Sequence, residues 1–209
     1  HNNNISGGAY TFGFDVGSYL VWAASPAIRP VLDGRWQEVA HDREFLNAYS
    51  ESLMSVAGFI SFLKRYDVPL IVVNHERFDA RLLKWVYEQS PWRLIYYDDT
   101  FAAFLLNNGV YALKASWLTV DLKAKEAALP AITSAELKHV AALTDRTWWQ
   151  DRLRKRHLPL ARLRVAAFYY NLGFQRLAAR EWIAILQEYA RIPSLYFRLG
   201  NMAFKQEDY

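Results

Sequence analysis

The chain has 209 residues, no cysteine, 53% apolar and 22% charged residues, and a formal net charge of +4. At about 100–200 residues per domain this length allows one large or two small domains. The apolar content excludes a disordered tail, and the lack of cysteine excludes a disulfide scaffold and Cys-ligated zinc or iron–sulfur centres. No stretch free of Asp, Glu, Lys and Arg exceeds 14 residues, as in Thr100–Leu113. A bilayer span needs about 20 apolar residues, so no segment reads as membrane-crossing. The chain opens at His1 with neither a methionine nor a signal pattern, and reads as a piece of a longer protein.

Residues 1–8 are polar and Gly-rich, an end expected to fray. Ala9–Phe14 reads as a strand. Val16–Ala24 reads as a short helix capped by Asp15, which Pro26 and Pro30 keep from continuing. Arg29–Leu32 is a short strand running into Asp33-Gly34-Arg35. Leu46, Tyr49, Leu53, Val56, Ile60 and Leu63 recur at intervals of three and four, a helix stripe over 43–66 that Gly58 interrupts. Pro69–Asn74 has the apolar run of a strand buried on both faces. Ala80–Gln89 is a helix capped by Asp79. Trp92–Tyr97 and Phe101–Leu106 are strands joined by Asp98-Asp99-Thr100, an antiparallel hairpin. Strands alternating with helices predict an α/β domain over 9–108, a small Rossmann-like mixed sheet of about five strands.

The cluster Asn107–Gly109 marks a boundary. Residues 1–109 carry nine basic against twelve acidic side chains, and 110–209 sixteen against nine, so the charge changes sign from −3 to +7. The second half reads as all-α: a helical linker or cap over 109–158, then repeats over 159–209. Thr133-Ser134-Ala135-Glu136 is a capping-box start for a helix to about Leu143. Trp148–Arg156, Leu160–Leu172, Gln175–Tyr189 and a segment from Ser194 onward follow as helices.

The last of these, Leu195-Tyr196-Phe197-Arg198-Leu199-Gly200-Asn201-Met202-Ala203, resembles the first helix of a tetratricopeptide repeat. A shift of 34 residues sets Gly173 at the turn between helices and Ala178 and Trp182 at the small and large packing positions of the second helix. An ordinary helical hairpin is the plainer alternative. Such repeats stack on neighbours, so the truncated array implies a cap or further repeats, and its groove implies a protein or peptide partner.

Four segments in order resemble a known family: Phe14-Asp15-Val16-Gly17-Ser18-Tyr19-Leu20-Val21-Trp22, Arg29-Pro30-Val31-Leu32-Asp33-Gly34-Arg35-Trp36, Tyr66-Asp67-Val68-Pro69-Leu70-Ile71-Val72-Val73, and Trp92-Arg93-Leu94-Ile95-Tyr96-Tyr97-Asp98-Asp99-Thr100. They resemble the soluble C-terminal extracytoplasmic domain of bacterial multispanning membrane proteins related to lipid-linked-sugar glycosyltransferases. Some of those chains continue into tetratricopeptide repeats. Here Gly-Ser-Tyr stands for the commoner Gly-Gly-Tyr, Leu32 for an aromatic, and the Tyr that often follows Asp-Gly-Arg is missing. The family's catalytic carboxylates lie between membrane helices, so no catalytic residue carries over. The resemblance implies an extracytoplasmic, membrane-tethered domain without a catalytic role. The alternative it implies is one wall of a glycosyltransferase site that binds an anionic lipid-linked donor.

Candidate sites follow from residue type and place. Asp33 and Arg35 follow a strand, where ligands of open α/β sheets gather, and Arg35 suits a phosphate or carboxylate. The structural alternative is a capped turn with Arg35 paired to Asp15 or Asp98. Asp98-Asp99 could hold a metal, but turn chemistry explains it more simply. His75-Glu76 could act as an acid–base pair, or be an ordinary loop. Between Arg146 and Arg164 seven basic residues face one acid, Asp151. Trp148, Trp149, Arg152, Arg154, Lys155 and Arg156 there suit an anionic membrane surface, with a solvated helix face as the alternative. No phosphate loop or dinucleotide fingerprint occurs. The expectation is therefore no cofactor, no metal and no nucleic acid.

Overall fold

The computed structural model describes residues 7–12, 16–18, 20, 27–31, 43–142, 159–189 and 192–207, the side chains of 203–207 excepted. The chain divides into two compact units, 1–120 and 121–209.

The first unit is built on a five-stranded mixed sheet of order β2-β1-β3-β5-β4. Its strands are β1 (Gly7–Phe12), β2 (Ile28–Pro30), β3 (Leu70–Asn74), β4 (Trp92–Tyr97) and β5 (Phe101–Leu106). β1 pairs in parallel with β2 and β3, whereas β5 runs antiparallel to β3 and β4. The carboxyl ends of β1, β2, β3 and β4 therefore share one edge of the sheet. β1 starts two residues earlier than its sequence suggests, and β2 is confined to three residues.

The stripe over 43–66 is two helices, α1 (Arg43–Met54) and α2 (Val56–Arg65). Ser55 separates them in extended conformation and caps α2, its Oγ accepting from the Gly58 N–H at 3.0 Å. Gly58 lets the two helices meet: a Cβ there would lie 2.8 Å from the Glu51 carbonyl carbon. α3 (Ala80–Gln89) is capped by Asp79, whose Oδ1 accepts from Arg81 N–H at 2.7 Å and Leu82 N–H at 3.3 Å.

Register decides which side chains share a face. Tyr10 pairs with Ile71, which pairs with Phe104, and all three are buried. Tyr10 meets Phe59 and Phe62 of α2 edge-on, with ring centroids 5.0 and 5.6 Å away. Its hydroxyl lies 3.1 Å from Ser52 Oγ, and Ser52 Oγ donates to the Tyr49 carbonyl at 2.6 Å. Burial, then the neighbouring Tyr49, push the Tyr10 hydroxyl far above its ordinary pKa, although Ser52 opposes this. On the opposite face Ala9, Leu70 and Leu105 pack with Ala115. Ala115 belongs to α4 (Ala112–Leu118), which follows a 3-10 turn over Gly109–Tyr111.

The second unit contains α5 (Leu122–Ala127), α6 (Ser134–Ala142), α7 (Leu160–Leu172), α8 (Gln175–Glu188) and α9 (Pro193–Glu207). The capping box before α6 forms as expected. Thr133 N–H donates to Glu136 Oε2 at 2.8 Å, and Glu136 N–H to Thr133 Oγ1 at 3.2 Å. α7 ends at Gly173, φ 91°, with Gly173 N–H donating to the Tyr170 carbonyl at 3.0 Å and Phe174 N–H to the Tyr169 carbonyl at 2.9 Å. This is a Schellman ending, and its left-handed residue favours glycine. Ala178 and Trp182 of α8 are buried.

Gly173→Ala is expected to cost about 1–2 kcal/mol, because a Cβ in the left-handed region meets its own backbone. Denaturant unfolding followed by far-UV circular dichroism checks this. An unchanged midpoint would show that the α7–α8 turn does not need glycine. Gly58→Ala is expected to lose more through overpacking against α1, about 1–3 kcal/mol, than the roughly 1 kcal/mol of helix propensity it gains. Its unfolding midpoint should therefore fall.

Candidate functional site

Among the described residues two places gather chemistry-bearing side chains: the carboxyl edge of the sheet, and a groove among the last three helices.

At the sheet edge, β3 runs into Asn74 and His75, both buried. His75 N–H donates to the Thr100 carbonyl at 3.1 Å, and its ring Nε2–H donates to the Asp98 carbonyl at 3.0 Å. His75 thereby ties the end of β3 to the β4–β5 turn. Burial holds its pKa below the ordinary 6.5, although the Asp98 carbonyl and the acids Glu76, Asp98 and Asp99 pull the other way. Asn74 Oδ1 accepts from Glu76 N–H at 3.1 Å and shapes the next turn.

Asp98 completes that hairpin. Its Oδ1 accepts from the N–H groups of Thr100 and Phe101, each at 2.7 Å, and its Oδ2 from the Tyr96 hydroxyl at 2.7 Å. Burial raises its pKa, but the donors Phe101, Tyr96 and Thr100 outweigh it and leave the carboxyl below its usual range. Asp98 is thus turn chemistry. No group of three or more His, Cys, Asp or Glu suited to a metal occurs among the described residues. His75 is placed as a brace, since its Nε2–H is spent on a main-chain carbonyl.

Asp33 and Arg35, and the possible partner Asp15, lie outside the described residues, as do Trp148, Trp149, Arg152, Arg154, Lys155 and Arg156. Arg162, from the same basic stretch, is described. It reaches Glu181 at 3.2 Å and Glu188 at 3.4 Å, and so serves to bind α7 to α8.

The second place lies in the helical repeats, where the sequence implies a partner-binding groove without naming its residues. α7, α8 and α9 enclose an open groove of about 660 Å³. Tyr170, Gln175, Phe197, Arg198, Asn201 and Met202 are among its walls. Phe197 is 71% exposed and Tyr170 40%. The Arg198 guanidinium lies 5.3 Å from the Tyr170 ring centroid and 5.6 Å from that of Trp182, a double cation–π contact. The available signal was positional: Ser194, Phe197, Arg198 and Asn201 recur at three- and four-residue spacing on one face of α9.

A smaller cavity of about 250 Å³ lies between the α1–α2 junction and α3, but its charges are satisfied, with Arg81 paired to Asp79 at 2.9 Å. A third feature is an apolar stripe around α4. Val110, Leu113 and Trp117, spaced three and four apart, are 83%, 61% and 77% exposed.

The depressed His75 pKa carries a sign. Well above pH 6.5 the ring is neutral in both states. As pH falls below that value the unfolded chain takes up the proton before the folded one does, so stability drops toward the folded pKa. His75→Gln keeps an N–H donor and cannot titrate. Urea unfolding of the first unit between pH 7.5 and 5 is expected to show a loss, at most about 1.4 kcal/mol per pH unit, that is absent from the variant. Equal slopes would remove His75 as the buried titrating brace.

No family model, no curated protein and no solved structure matches this chain.

Proposed function

We propose that this is a non-catalytic extracytoplasmic accessory domain of a multispanning membrane protein. Its helical unit recruits a protein or peptide in the groove of α7–α9. The observation that carries the recruiting role is the groove itself, with aromatic walls left exposed and an arginine held in place on two rings. Pockets with apolar walls and a few fixed polar groups are where ligands bind.

α7, α8 and the start of α9 are read as one and a half tetratricopeptide-like repeats. Support comes from the turn at Gly173, the buried pair Ala178 and Trp182, and the return of α9 against α8. The membrane-tethered setting rests on the sequence resemblance of the first unit. The exposed stripe Val110–Leu113–Trp117 supplies a surface through which that unit would rest on its parent protein. The non-catalytic assignment draws on the sheet edge, where His75 and Asp98 spend hydrogen bonds on their own turn.

The test is selection of peptides from a random displayed library on the 209-residue chain. Counter-selection uses Asn201→Trp, an exposed position whose larger ring fills the groove. Enriched peptides are expected to bind the variant at least about tenfold more weakly, a loss of some 1.4 kcal/mol. Failure to enrich any sequence, or equal binding to both proteins, would overturn the recruiting role. Many hydrophobic spans upstream in the parent reading frame are the expected companion result for the membrane setting.

A further inference from the structure

We propose that the α7–α9 groove selects an extended peptide segment carrying a carboxylate, Asp or Glu, next to an apolar side chain, with Arg198 as the anion-binding group. This rests on the groove reading above and names its partner's chemistry.

Arg198 is the charged side chain among the residues that line the groove; no acid lines it among the described residues. It donates no hydrogen bond and makes no ion pair among the described residues, whereas its contacts with Tyr170 and Trp182 fix where it sits. A guanidinium stacked on a ring face keeps its in-plane N–H donors for an acceptor, and Arg198 has no hydrogen-bond acceptor among the described residues. The neighbouring arginines differ. Arg162 is taken by Glu181 and Glu188. Arg180 is taken by Glu136 and by the Pro130 and Ala131 carbonyls. The described acids of α6 and α8 are thus committed elsewhere, and among the described residues no acid answers Arg198.

Dimensions favour a peptide over a lone anion. The lining residues of α9 run from Pro193 to Met202, about 13 Å of helix at 1.5 Å per residue. An extended chain covers that distance in about four residues. One carboxylate on Arg198 therefore leaves room for a neighbouring side chain to lie on Phe197, which is 71% exposed. Asn201 and Gln175 supply amide groups for the peptide backbone.

The experiment uses the full chain and three labelled peptides: acetyl-Gly-Ser-Phe-Glu-Glu-Phe-Ser-Gly-amide, a twin with Gln for both Glu, and a twin with Lys for both. Binding is read by fluorescence anisotropy at 0.1 and 0.5 M salt. The acidic peptide is expected to bind about tenfold more tightly than the Gln twin at low salt, with the gap narrowing at high salt. The Lys twin is expected to bind weakest. Arg198→Gln should abolish the preference, Arg198→Lys should retain part of it, and Asn201→Trp should block all three. Lys84→Gln, in the first unit, should change nothing. Matching circular dichroism and unfolding midpoints show that the variants are folded. Groove-dependent binding that is equal for the acidic and Gln peptides overturns the acidic partner and leaves the groove reading standing. Absence of any groove-dependent binding overturns both. Self-association of the chain that Asn201→Trp abolishes would assign the groove to a second copy and overturn the peptide.

Discussion

The first unit depends on β3 being paired along both edges and covered on both faces. Leu70, Ile71 and Val73 leave almost nothing for water, while β1 and β5 take up the main-chain groups on either side. A buried strand cannot leave those groups unpaired. The sheet therefore changes from parallel to antiparallel across this one strand, and the two faces become separate cores. One is aromatic, with Tyr10 locked among Phe59 and Phe62 and its hydroxyl answered by Ser52. The other is small and aliphatic, and needs α4 as its lid.

That constraint also decides the chemistry at the sheet edge. A strand so enclosed must end abruptly, and its last residues are held by the adjacent hairpin. His75 and Asp98 look like acid–base or metal-binding residues by type. Here each is consumed by the turn it builds, His75 on the Asp98 carbonyl and Asp98 on two N–H groups. A polar group buried without such partners would cost more than the turn gains.

Legibility followed the range of the interactions. α3, β4 and β5 could be read to the residue, because Asp79, the apolar run of β3 and the Asp98–Thr100 turn are local signals. α7 was equally plain, since Gly173 closes it. The break at Ser55 was half visible: Gly58 announced an irregularity, but only packing on Glu51 shows what it does. α4 was missed as an element because Asn107–Gly109 looks like a boundary, whereas Ala115 packing on Leu70 and Leu105, and Val120 N–H donating to the Leu94 carbonyl, bind it to the sheet. The groove was less legible still. The role of Arg198 depends on Tyr170 and Trp182, far from it in sequence and on two other helices.

Charge illustrates the difference between composition and site. The second half of the chain carries sixteen basic against nine acidic side chains, and a count invites a broad anionic partner. Spatially the described excess is spent piecemeal. Arg162 fastens α7 to α8, Arg180 fastens α8 to the start of α6, and Lys125 donates to the Tyr169 hydroxyl at 2.8 Å. Exposed pairs of this kind contribute little stability each, yet they occupy the described acids of α6 and α8. An arginine seated on two rings has its position fixed by cation–π contact instead of by a counter-ion. It therefore offers its donors without first breaking a bond. The part of this surface that is fitted for an anion is the part where aromatic packing has replaced ion pairing.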